Sequence, residues 1–162
     1  MLIKEIIEGP QDFDDMNLNS DKIQQSLDYF YKEHAPSKAT GKKIDSFKGF
    51  DVMKFVWPAG NELYFLVKND VPNLYLGLSK YQDGLAVGNV RSNGTVKASE
   101  FYNYMLDKVT SKLYSDKGQT PAGRKIWTDL DRFFPDITVT DVGSRLVATK
   151  GTDKITEEPE KE

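Results

Sequence analysis

Between Gly49 and Val90 the chain repeats one pattern: a short run rich in β-branched and aromatic residues, then a cluster of turn formers. The runs cover 49–57, 62–68, 73–80 and 85–90. Pro58-Ala59-Gly60-Asn61, Asn69-Asp70-Val71-Pro72 and Gln82-Asp83-Gly84 separate them. Such connections are too short to return a strand parallel to its predecessor, so the pattern predicts an antiparallel meander.

The period changes on either side of the meander. After Arg91-Ser92-Asn93-Gly94, the residues Ala98, Phe101, Tyr102, Met105, Leu106 and Val109 fall on one helical face, with Thr95 as the expected cap. A strand is expected at 112–115. The next helix start is the most sharply written in the chain. Thr120 accepts from a first-turn amide, and Pro121 occupies the first helical position, where no amide is needed. Ile126, Trp127, Leu130, Phe133 and Phe134 then form an apolar stripe, and Pro135 ends it. Alternation over 137–142, the two-residue turn Gly143-Ser144 and a partner run at 145–149 predict a closing hairpin. Upstream, Asn19 or Ser20 caps a helix carrying Ile23, Leu27, Phe30 and Tyr31. It is expected to run to about Glu33 and break at His34-Ala35-Pro36, leaving 36–48 as a polar, lysine-bearing connection.

The expected fold is a single α+β domain over 19–150, a mainly antiparallel mixed sheet packed with about three helices. At 162 residues, 38% hydrophobic and 12% aromatic, the chain has enough apolar material for one core. Residues 1–18 are read as an edge strand or a detachable leader-like peptide. Residues 151–162 form an acidic tail with Ile155 as its one sizeable apolar residue, too polar to repay the entropy of ordering.

A net charge of -3 disfavours nucleic acid as a partner, since counterion release needs a concentrated basic surface. The absence of cysteine excludes disulfides, thiolate nucleophiles and cysteine-ligated zinc. Asp12, Asp14 and Asp15 lack the glycine and distal glutamate of a calcium loop, so no metal is expected. No apolar run is long enough to span a membrane, and a soluble, cytoplasmic protein is the expectation. His34, the only histidine, is read as a cap on a helix end. Lys38, Lys42, Lys43 and Lys48 lie near Phe47 and Phe50. This grouping suits phosphate and base contact, but is read first as a solvated loop.

The order of strands and helices resembles the GCN5-related N-acetyltransferase fold over roughly 49–149. Ser115, Asp116, Gln119, Thr120, Pro121, Gly123 and Trp127 are similar to a strand end, turn and helix found in bacteriophage proteins of that type. The resemblance implies a cofactor pyrophosphate at the loop before the helix that follows the meander. There Arg91, Asn93, Gly94 and Thr95 would hold acetyl-CoA. Val96 stands where the family has a small residue, and no tyrosine lies between Pro121 and Phe134 to act as the family's general acid. Glu62 is the candidate base. Asp116, Gln119 and Thr120 either bind a ligand or close their turn.

These departures lead to two expectations. The first is a phage accessory or virion-associated protein on an acetyltransferase-like scaffold. It would act on a phage or host protein in the host cytoplasm or the virion, without catalysis and without a cofactor. The second is an acetyl-CoA-dependent N-acetyltransferase acting on an amine.

Overall fold

A computed structural model describes residues 20–117 and 120–151. The segment expected at 1–18 and the tail beyond Gly151 lie outside the described residues. Among those described, eight strands form one sheet with three helices in an α+β arrangement. Helix α1 comprises Ser20–Tyr29, a π-helical turn Phe30–His34 and a last segment Ala35–Lys38. It is followed by β1 (Thr40–Phe47), β2 (Phe50–Val56), β3 (Glu62–Lys68), β4 (Val71–Tyr81) and β5 (Gly84–Ser92). Helix α2 (Ala98–Lys108), β6 (Lys112–Tyr114), α3 (Pro121–Phe133), β7 (Ile137–Asp141) and β8 (Leu146–Lys150) complete the order.

The strands lie β1-β2-β3-β4-β5-β6-β8-β7, and every neighbouring pair is antiparallel except β5 with β6. The expected meander is present, and β3 spans the expected 62–68. Its turns have the backbone that their residues favour. Asn69 and Asp70 both adopt positive φ, at 52° and 65°, which matches the right-handed twist of the flanking strands.

The region before the meander corrects two expectations. The helix does not break at His34-Ala35-Pro36 but continues to Lys38. Pro36 lacks an amide, and in an α-helical turn its ring would meet the Lys32 carbonyl. The turn just ahead is widened instead, with the Ala35 amide donating to the Phe30 carbonyl five residues back. The polar connection expected at 36–48 is mostly strand β1. Its exposed residues give no apolar alternation, as befits the edge of a sheet. A two-residue turn at Lys48 and Gly49, with φ of 51° and 85°, joins it to β2.

Two apolar layers sandwich the sheet. On one side Phe101, Tyr102 and Met105 of α2 and Trp127 and Leu130 of α3 pack over Tyr64, Leu66, Leu74 and Leu76. The Tyr102 and Trp127 rings meet edge to face at 5.1 Å. On the other side Leu27, Phe30 and Ala35 of α1 cover Phe55, Leu63, Phe65 and Tyr75. A small third cluster of Ala86, Tyr114 and Val147 lies apart from both. At its rim the Arg145 guanidinium sits 4.2 Å from the centre of the Tyr81 ring. Among the described residues no helix is long and apolar enough to cross a membrane.

Candidate functional site

The loop between β5 and α2 leaves the sheet where β5 loses its neighbour. The parallel contact of β5 with β6 is confined to Leu85 with Leu113 and Ala86 with Tyr114. Beyond Ala86 strand β5 continues to Ser92, whereas β6 stops at Tyr114. A cleft of about 300 Å3 lies at the far end of β5, between the start of α2 and the first turns of α3. Val90, Gly94, Val96 and Lys97 form one side, and Lys125 and Ile126 the other.

The loop's polar groups are bonded to one another. The Gly94 amide donates to Ser92 Oγ at 3.0 Å, while Ser92 Oγ donates to the Val96 carbonyl at 2.7 Å. The Thr95 amide donates to Asn93 Oδ1 at 2.9 Å. Asn93 Nδ2 in turn donates to Asn73 Oδ1 at 2.8 Å and to Gln24 Oε1 at 2.9 Å. Gln24 Nε2 donates to the Pro72 carbonyl at 2.8 Å, so this network fastens α1, the start of β4 and the loop together. Gly94 supplies the positive φ of 95° that the turn needs.

Thr95 does not cap α2. The helix starts at Ala98, and Lys97 stands at the cap position without a side-chain hydrogen bond to the first turn. A threonine three residues ahead of the first helical residue is too far back to cap it, and its amide is used within the loop. Val96 is only 4% exposed and packs into the larger core as well as lining the cleft. Arg91 pairs with Tyr75, which places it on the α1 side of the sheet, although it also borders the cleft.

These residues fit a pyrophosphate poorly. The Gly94 and Thr95 amides, which the acetyltransferase resemblance assigns to the anion, already have acceptors within the loop. Lys125 has an acidic neighbour on its own helix, Asp129, at 3.0 Å.

Glu62, the candidate base, begins β3 in a cluster of its own. Tyr64 Oη donates to Glu62 Oε1 at 2.8 Å, and Lys54 Nζ lies 3.7 Å from Oε2. Burial, followed by the bond to Glu62, pushes the Tyr64 phenol far above its usual range. The carboxylate therefore satisfies the hydroxyl of a fully buried tyrosine, and it is remote in sequence and bonding from the β5–α2 loop. At the third candidate group, Thr120 Oγ1 accepts from the Gly123 amide at 3.0 Å and caps α3 as expected. Asp116 Oδ1 accepts from the Lys117 amide at 2.8 Å within the turn. Gln119 lies outside the described residues. Among the described residues no group of three or more His, Asp or Glu side chains is placed to hold a metal ion.

Two of the four grouped lysines have acidic neighbours. Lys43 Nζ lies 3.0 Å from Asp51, and Lys48 Nζ lies 3.7 Å from Glu100. Phe47 packs against Phe101 and Tyr104, with Lys48 Nζ 5.9 Å from the centre of its ring. His34 is likewise not a helix cap, because α1 runs on past it. It stacks edge to face on Phe30 at 5.1 Å, and burial, with Lys38 nearby, lowers its pKa.

Sequence reasoning missed the surroundings of His34. A second cleft lies on the α1 side of β5, lined by Phe30, His34, Trp57, Tyr75 and Asn89. The one available signal was a histidine and a tryptophan at the ends of two separate apolar runs. No protein-family model matches the chain, and no curated protein or solved structure is significantly similar to it.

Proposed function

We propose that this protein is a phage accessory or virion-associated protein on an acetyltransferase-like scaffold, acting by binding a phage or host protein and not by acetyl transfer. One observation carries the reading: the β5–α2 loop spends its Gly94 and Thr95 amides on Ser92 and Asn93. A pyrophosphate would have to displace both bonds in a loop that Asn93 Nδ2 ties to Asn73 and Gln24. The two amide bonds are exposed, and displacing them costs about 1 kcal/mol each at most. The half-buried rim of the third apolar cluster supports a protein partner, because Tyr81 and Arg145 are of the residue types that dominate protein interfaces.

Calorimetric titration with acetyl-CoA and with CoA tests this reading. The expected result is no saturable heat at millimolar ligand. Saturable binding that Gly94→Glu abolishes would overturn it. The alternative, an acetyl-CoA-dependent N-acetyltransferase, is favoured by the separation of β5 from β6 after Ala86 and by the cleft beyond it. That alternative requires the loop to rearrange before the cofactor is held, and it would be sustained by the second calorimetric outcome.

A further inference from the structure

Irregular backbone converges on the second cleft, of about 270 Å3, on the α1 side of the sheet. The π-helical turn Phe30–His34 places Phe30 and His34 on its wall. Between the pairs Gly77 with Asn89 and Leu78 with Val87, β5 carries one extra residue, Gly88, and this bulge sets Asn89 over Gly77. The turn after β2 closes with the Trp57 amide donating to the Asn61 carbonyl at 2.9 Å, bringing both residues to the cleft. Both π-turns and bulges interrupt regular hydrogen bonding, and both recur beside binding sites because they re-aim side chains.

The floor depends on glycine. A Cβ on Gly77 would lie 2.7 Å from Asn89 Oδ1, so only glycine there lets the Asn89 amide keep its place against the sheet. The walls are aromatic and uncharged. Phe30 and Tyr75 meet edge to face at 5.2 Å, and Trp57 stands across His34 with ring centres 6.2 Å apart. His34 is held toward its neutral form by burial. Glu62 borders the cleft, but its carboxylate is committed to Tyr64 and Lys54.

A flat, uncharged ring with donors and acceptors along its edge suits this chemistry. Aromatic faces stack on any base, and a carboxamide pairs one donor and one acceptor with the edge of a purine. The geometry points to a binding site for a purine-type heteroaromatic ring between the π-turn of α1 and the bulge of β5, packed by Phe30 and Trp57 and read by Asn89.

Trp57 reports on the site directly, since the other tryptophan, Trp127, is buried in the opposite layer. Titration of the full chain with adenosine is expected to change the tryptophan emission saturably, and Trp57→Phe to remove that change. In a nitrogen-labelled sample, the Asn89 side-chain amide and the Gly88 backbone amide should shift along the same isotherm. Asn89→Ala should weaken binding about tenfold with an unchanged thermal midpoint. No saturable response at millimolar adenosine overturns the proposal. Shifts confined to residues 94–99 overturn it as well, because the ring would then occupy the other cleft. A response to choline in place of adenosine overturns the ligand class and makes the aromatic walls a cation site.

Discussion

The two clefts flank the same strand and are built in opposite ways. On the α2 and α3 side the elements are regular, the core is the larger one, and the loop at the cleft is closed by its own hydrogen bonds. On the α1 side the helix widens, the strand bulges, and the smaller apolar layer opens beside Phe30 and Trp57. A loop that satisfies its own donors is a joint, whereas irregular backbone that presents rings and amides to a cavity is a candidate for recognition. The cofactor loop expected from the sequence lies on the first side, and the physical chemistry favours the second.

Core truncations sharpen this contrast most. Trp127→Ala removes a ring that is 3% exposed and packed on Tyr102, so a loss of about 4 kcal/mol is expected. Phe30→Ala should cost less, about 3 kcal/mol, because the cleft already leaves part of that ring without neighbours. Urea unfolding of both variants at equal m-value checks the order. A larger loss for Phe30→Ala would show that the α1 layer is the tighter one.

Next in size is the joint itself. Asn93→Ala leaves the Thr95 amide and Asn73 Oδ1 without their partner and unties Gln24 from the loop, for about 2 kcal/mol. Hydrogen exchange should quicken in both the β5–α2 loop and the first turns of α1. Faster exchange in the loop alone would mean that the two are not coupled. Thr120→Ala should cost about 1 kcal/mol through loss of the α3 cap, with Thr120→Ser restoring most of it. If the alanine variant melts with the parent, the cap bond is not formed in solution.

The smallest expected effect concerns pH. Folding lowers the His34 pKa below its ordinary value of 6.5, so the neutral ring is favoured in the folded state. That contribution is complete above pH 6.5 and is lost as pH falls through the folded-state value. The group is partly solvated, and the melting temperature should drop by about 2 °C at most between pH 7.5 and pH 5.5 on this account. His34→Gln should flatten that part of the profile, and an unchanged slope in this variant would assign it to other groups.

Much of the fold was legible because its signals are local. Thr120-Pro121 and the stripe through Trp127 and Leu130 write α3 into the sequence, and alternation with turn residues writes the strands from Phe50 onward. Strand β1 was hidden because an edge strand exposed over its first five residues has no alternation to show; Lys48-Gly49 between two phenylalanines was the available clue. Continuation of α1 through Pro36 was hidden because the π-turn that absorbs the proline forms only in the folded helix. The Arg91 to Thr95 stretch could be found from its residue types, but not its hydrogen bonds, which reach Asn73 and Gln24 across the fold. The Gly88 bulge depends on the register of β4 with β5, which no short window of sequence contains.

The central claim is that the β5–α2 loop is a closed joint. Amide spectra of the labelled protein, recorded during titration with acetyl-CoA, test it most directly. The account predicts that the Gly94 and Thr95 cross-peaks stay in place at millimolar ligand. Saturable movement of both, together with Asn93 Nδ2, would show that the loop opens to hold the pyrophosphate and would contradict it.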